Sequence, residues 1–495
     1  MRKITHTLTG TGSKDDPFLI TSKADLRNLL LYNNLLNNSF FKQMADIRFD
    51  KYEYWTPCGQ KEEPFNCTYN GNGFSIEGLN INLPNNKNVG LFGYSENLEI
   101  KNLSLINVNI VGKSGVGGLV GHSPNIVVEN CSVSGNAYGE FAVGLIAGIA
   151  NYKGKIKDCN SSGEVRGFAV GGLVGILTIS ISNSFYAYKK VKINNKYSLS
   201  AGCISDNQYE AWLKNNKTLD ISKYLNVEDE MVKITSIRDL KLALPFFQGD
   251  YRFQLTQDLD FSNEDNFYIP YFSGKFNGFG YKILNYSLEN VFYLNTGFFS
   301  YVFNGEIFNL GFEKANVSGK NNVGILIGAT GNSKTNISRC YVKGKVAGTA
   351  AVGGLVGFAK ENVKISNCFA SCICSSLNDL TKKQKTYRYF GGIIGKSGWN
   401  IEAINCYSNS KIYNEELVSS LNCNTLWGNW PYIVENVYCN GDLMNSPDYK
   451  KDYILTTDQL KTESSFKKWD FKKIWIIDNN NNKGYPYLKE FIKNE

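Results

Sequence analysis

A chain of 495 residues with 42% apolar and 14% aromatic content has enough apolar side chain for large cores, which excludes a disordered polypeptide. The formal net charge of +8 is spread over that whole length, so it predicts a solvated surface before any anionic glycan or nucleic-acid partner. The twelve cysteines give no paired CxxC zinc spacing, and no apolar run reaches the roughly 20 residues that cross a bilayer.

The first segment, "MRKITHTLTGTGSKDDP", lacks the apolar core of a signal peptide, so synthesis and assembly in the cytoplasm are expected. "ITSKADLRNLLLYNN" (20–34) then predicts a strand, a cap and a short amphipathic helix, with Ser22 and Asp25 placed as in a capping box although Asp replaces Glu or Gln. With "YWTPCG" (54–59) it forms an N-terminal lid over 1–68.

From 69 to 228 one phrase recurs: "VGLFG" at 89, "GVGGLVGH" at 115, "VGLIAG" at 143 and "VGGLVG" at 170. Val89, Val116, Val143 and Val170 stand 27 residues apart, and such a fixed period signals a stacked solenoid. Between the phrases run short alternating segments such as "IKNLSLINVNIVG" (100–112), which predict strands. Stacked coils set each inward residue above its counterpart, so the valines and Leu119 with Leu173 are expected in columns. The glycines mark corners, or places where a neighbouring backbone leaves no room for a Cβ. A phosphate loop would instead need a helix after the phrase and a following Lys-Ser/Thr, and neither is present. Cys131, Cys159, Cys340, Cys368 and Cys406 fill one recurring slot ("ENCSVSG", "KDCNSSG", "SRCYVKG", "SNCFASC", "INCYSNS") and are expected as small buried hydrophobes with free thiols. "CFASCIC" (368–374) is the densest cluster, with metal binding its lesser reading.

The boundary falls near "LNVEDEMV", and a second lid follows over 229–275, where "ITSIRDLKLALPFF" repeats the opening with Ser236 and Asp239. A second solenoid module spans 276–412 and a C-terminal capping region 413–495. Residues 69–121 and 276–328 are identical at 20 of 53 positions without a gap, so the chain is two copies of one module. An insertion around 375–389 lengthens the second copy. The expected fold is all-β, a right-handed parallel β-helix of two tandem modules with short caps.

"FNGFGYKI", "VGGLVG", "NCSVSG" and the "DPFLITSKADL" opening resemble the GLUG-motif repeats of bacterial and phage surface proteins, which also occur beside the peptidase domain of some IgA-cleaving proteases. The resemblance covers roughly 10–190 and 232–410 and implies an extended parallel β-helix displayed on a surface. It does not bring the peptidase: His6 and His122 are the only histidines, and they stand far apart where an HExxH zinc site needs two four residues apart.

Chemistry is sparse elsewhere. His122 is expected on an exposed loop, ahead of a catalytic base. The acidic run "DLDFSNED" (258–265) holds Asp258, Asp260, Glu264 and Asp265, but Asp258 matches Asp46 of the first copy, which suits a recurring turn better than a catalytic pair. Trp427, Trp430 and Tyr432 in "LWGNWPYIVENVY" could stack on sugar rings, or seal the solenoid end. No catalytic residue, metal ligand or cofactor is assigned.

The leading reading is a non-enzymatic structural or adhesion protein, a virion component of a phage or virus or a bacterial adhesin. Its partners would be host-surface glycans or other surface proteins, with a homo-oligomer conceivable and no nucleic acid or membrane span. A polysaccharide-cleaving lyase or hydrolase and an intracellular partner-binding effector scaffold are the alternatives.

Overall fold

The computed structural model describes residues 8–31, 37–290, 292–377, 389–413, 433–443 and 453–492. The chain divides into unit one, Met1–Leu219, and unit two, Asp220–Glu495.

In unit one the alternating segments become strands, each paired with the strand one repeat later. One sheet runs in the order Phe18–Ile20, Ser39–Gln43, Cys67–Asn70, Asn97–Lys101, Val120–Glu129, Ala147–Lys157, Val174–Leu177. The other runs Ile47–Arg48, Ser75–Glu77, Ser104–Val111, Ser132–Gly144, Asn160–Gly171, Val191–Ile193. Every pairing along both is parallel, so the expected all-β parallel β-helix is what the chain forms. The sequence period sets the register. Val89 pairs with Val116, Val116 with Val143 and Val143 with Val170, and all four are at most 1% exposed. Each such buried side chain contributes about 1.5–3 kcal/mol relative to an exposed one. Leu119, Ile146 and Leu173 form a second column through Leu119 N–H to Ile146 O (3.1 Å) and Ile146 N–H to Leu173 O (2.8 Å).

Of the two reasons offered for the glycines, close approach governs the centre of the phrase. A Cβ on Gly117 would lie 2.3 Å from the Val120 oxygen and 2.6 Å from the Gly148 nitrogen, and one on Gly121 2.3 Å from the Asn88 carbonyl carbon. The strand Val120–Glu129 follows, where an anion-binding loop would have a helix.

Unit two repeats the plan. The strands Asn295–Thr296, Asn322–Gly324, Ala351–Gly353 and Tyr389–Gly391 form a parallel sheet that aligns Thr296, Val323, Val352 and Phe390. The duplication extends to single hydrogen bonds: Asn102 Nδ2 donates to Asn70 Oδ1 (3.1 Å), and Asn309 Nδ2 donates to Asn277 Oδ1 (3.2 Å), 207 residues on.

The cysteine slot follows a left-handed corner. Asn130, Asp158, Asn367 and Asn405 take φ of 51°, 55°, 52° and 52° immediately before Cys131, Cys159, Cys368 and Cys406. Asn and Asp tolerate that region better than other side chains with a Cβ. The turn aims the next side chain inward, and its Sγ donates to the carbonyl two residues back: Glu129, Lys157, Ser366 and Ile404, at 3.1–3.2 Å. One coil after Cys159, Ser184 fills the slot, donating to Ser182 O (2.9 Å) and accepting from Cys159 N–H (3.1 Å). Cys159→Ser is therefore expected to cost less than about 1 kcal/mol in a denaturant titration, because a hydroxyl finds the same carbonyl.

Among the described residues ten cysteines are free and buried. Burial pushes the Cys203 and Cys372 thiols up to about 12, so native protein at pH 8 is expected to resist thiol reagents until it is unfolded. Cys439 departs from the free-thiol expectation: it is disulfide-bonded, and it lies outside the recurring slot.

The strand, cap and short helix expected at the start of each copy form, with a variation in their caps. Ser236 Oγ accepts from Asp239 N–H (3.2 Å), while the Asp239 carboxylate accepts from Thr235 N–H (2.9 Å), one residue before the cap. Asp25 does the same to Thr21 N–H (3.0 Å). In the opening lid, Glu53 accepts from Asp50 N–H (2.9 Å) and from the Lys23 ammonium, with Arg27 Nη2 at 3.3 Å. The Asp50 N–H first, then Lys23, hold its carboxyl down to about 2. A depressed folded pKa gives stability that is present above the ordinary carboxylate range and lost as pH falls toward 2. Amide exchange in the helix Lys23–Leu31 should therefore accelerate across that window, and Glu53→Gln should remove the acceleration.

In unit two the position after the slot is aromatic. Tyr341, Phe369 and Tyr407 stack one per coil with ring centres 4.8 and 5.1 Å apart. Residues 453–492 pack along this column through Phe466, Trp469, Trp475 and Tyr487.

Candidate functional site

Trp427, Trp430 and Tyr432 lie outside the described residues. Tyr438, from the same stretch, is buried, with its ring edge-on to Phe466 at 5.4 Å.

His122 is not on an exposed loop. It sits in the strand Val120–Glu129, half-buried and edge-on to Tyr94 (5.1 Å), with Nε2 3.2 Å from Asn151 Oδ1. Burial lowers its pKa below the ordinary value, which favours a neutral imidazole. In the ladder it stands opposite Tyr94 of the preceding coil, which covers it.

The acidic run is structural. Asp258 accepts from Lys282 N–H (2.8 Å), and its counterpart Asp46 accepts from Ser75 N–H (2.8 Å), each clamping the strand of the next coil. Asp260 accepts from Ser262 N–H (2.9 Å) and Asn285 Nδ2 (2.8 Å). The thiols of "CFASCIC" diverge: Cys368, Cys372 and Cys374 donate to the carbonyls of Ser366, Val342 and Gly391. No group of three or more potential metal ligands occurs among the described residues.

A groove of about 380 Å³ crosses successive coils of unit one and is lined by Asn38, Thr68, Asn97, Glu99, Asn125 and Lys153 among others. Its geometry follows from register. Asn97, Asn125 and Lys153 stand in one outward column, and Thr68, Glu99 and Val127 in a second, one residue from each coil. The backbone of Cys67, Leu98 and Ile126, whose side chains are buried in the core, makes the floor between them. Asn125 Nδ2 donates to Asn97 Oδ1 (3.0 Å), so the amides are held in a ladder, and Glu99 is paired with Lys101 at 3.5 Å. Sequence reading missed these residues, although "NLEIKN" (97–102) and "NIVVEN" (125–130) carry the repeat openly.

No family model matches the chain. It is similar to halomucin of Haloquadratum walsbyi, 31% identical over 185 residues, covering 34% of this chain and 2% of that protein. A candidate Gly-rich membrane protein of Evansella cellulosilytica is 34% identical over 134 residues, covering 25% of this chain and 15% of that one. The immunoglobulin A1 protease of Streptococcus sanguinis is 30% identical over 196 residues, covering 39% of this chain and 10% of the protease. The chain thus spans only a small fraction of the length of these curated relatives. No helix among the described residues is long and apolar enough to cross a membrane.

Proposed function

We propose that this chain is a non-enzymatic structural and adhesion protein of the GLUG-repeat type, carried on a virion or a cell surface. The observation that carries the reading is how its polar side chains are used. They tie coil to coil: Asn102 to Asn70, Asn130 to Asn102, Asn322 to Asn295 and Asn436 to Asn405, with Glu129–Lys155 and Lys364–Glu402 between neighbouring strands. A scaffold satisfied in this way is suited to present a long lateral face. The names of two relatives, one a membrane protein and one a protease of immunoglobulin A1, are compatible with work at a surface. The groove favours binding over hydrolysis, since glycosidases need two carboxyl groups about 5–9.5 Å apart and the described lining carries Glu99 alone.

The test is protease shaving of intact source cells and of purified particles, followed with an antibody against unit one. Cleavage from the outside is the expected result, and cosedimentation with particles separates a virion part from an adhesin. Protection until lysis would overturn the reading in favour of an intracellular scaffold.

A further inference from the structure

We infer that the unit-one groove binds a neutral, linear polysaccharide lying along the solenoid axis, roughly one sugar residue per coil. The inference deepens the adhesion reading, yet it rests on the groove itself.

Three features select the ligand. The first is period: each coil sets lining residues into the groove at the coil spacing of about 4.8 Å, close to the advance of one pyranose in an extended chain, so each sugar meets the side chains of one coil. From Asn38 through Thr68, Asn97 and Asn125 to Lys153 there are four spacings, about 19 Å, room for about four sugars. The second is chemistry. Asn38, Asn97 and Asn125 offer amides that both donate and accept, and Thr68 offers a hydroxyl, which match sugar hydroxyls. Val127 provides the apolar contact on which a pyranose C–H face rests, while Leu98 and Ile126 beneath it are turned into the core. The third is charge. Glu99 is already paired with Lys101, and Lys153 alone stands at one end, so the lining has neither the cationic row an acidic polymer needs nor an anionic one. The ladder bond from Asn125 to Asn97 fixes the amides before binding, which lowers the ordering cost of holding a weak, multi-point ligand.

The experiment is titration calorimetry and affinity electrophoresis of the full chain against neutral polymers (β-glucan, mannan, galactan) and acidic ones (alginate, hyaluronan). Asn125→Trp fills the groove, Thr68→Arg blocks it from the neighbouring coil, and Asn109→Trp alters a similar amide rung, Asn109 to Asn80, on the other sheet. Binding of a neutral polymer, at least tenfold weaker in both groove variants and unchanged in Asn109→Trp, is the expected result. Affinity should climb from disaccharide to tetrasaccharide and then level. Binding to acidic polymers alone, equal loss in Asn109→Trp, indifference to both groove variants, or no binding to any polymer would each overturn the inference. Circular dichroism identifies an unfolded variant, for which the other groove variant decides. Surface exposure of the chain without glycan binding would sink this inference and leave the adhesion reading standing; the converse would do the opposite.

Discussion

Gly117→Ala is expected to destabilise unit one by about 3 kcal/mol, the upper end of what overpacking a close-packed interior costs. Three atoms bring this about. The new methyl would sit 2.3 Å from the Val120 oxygen, 2.6 Å from the Gly148 nitrogen and 2.7 Å from the Ala147 Cα, all of them backbone. No rotamer change relieves a backbone clash, so the next coil must lift away, and the pairing of Val120 with Ala147 goes with it. Gly73→Ala is the matched control. Its Cβ would meet nothing within 4 Å, so only its φ of +86° opposes the change, at about 1–2 kcal/mol. Denaturant midpoints for the two variants, measured by far-ultraviolet circular dichroism, give the comparison. Equal losses would mean that the glycines act through backbone conformation and not through nesting of coils.

Trp475→Ala should cost unit two about 3–5 kcal/mol, the usual range for emptying a buried aromatic site. Trp475 is fully buried, stacked on Trp469 with ring centres 4.4 Å apart and edge-on to Tyr407 at 6.1 Å. It is the residue through which segment 453–492 grips the aromatic column of the solenoid. Its loss should make that segment the first site of limited proteolysis and expose the Tyr341, Phe369 and Tyr407 rings to a hydrophobic dye. Tyr413→Ala, at a ring 48% exposed, should stay within about 0.5 kcal/mol of the parent. If Trp475→Ala leaves protease resistance intact, the column does not anchor the segment.

The fold was legible because it is periodic. A valine every 27 residues needs only the coil spacing to become a column, and the pairings of Val89, Val116, Val143 and Val170 follow from that alone. The recurring cysteine was readable for the same reason, since one slot per coil has one environment. Positions outside the repeat were harder. The stretch with Trp427, Trp430 and Tyr432 has no counterpart by which to register it, and even within the repeat His122 was misplaced because its neighbour Tyr94 one coil back covers it.

By itself, the amino-acid sequence determined the solenoid, the duplication, the inward columns and the structural use of Asp46 and Asp258, since each depends on neighbours a constant number of residues away. Only the tertiary structure decided that bare backbone, not corner geometry, demands Gly117 and Gly121. It alone laid residues 453–492 along the Tyr341 column and opened a groove between Thr68 and Asn125. The rows of the groove follow the register, but whether they leave an open channel, how closely backbone nears Gly117, and where residues 453–492 settle depend on how far apart surfaces lie once coils are stacked, a distance in space that the repeat alone does not give.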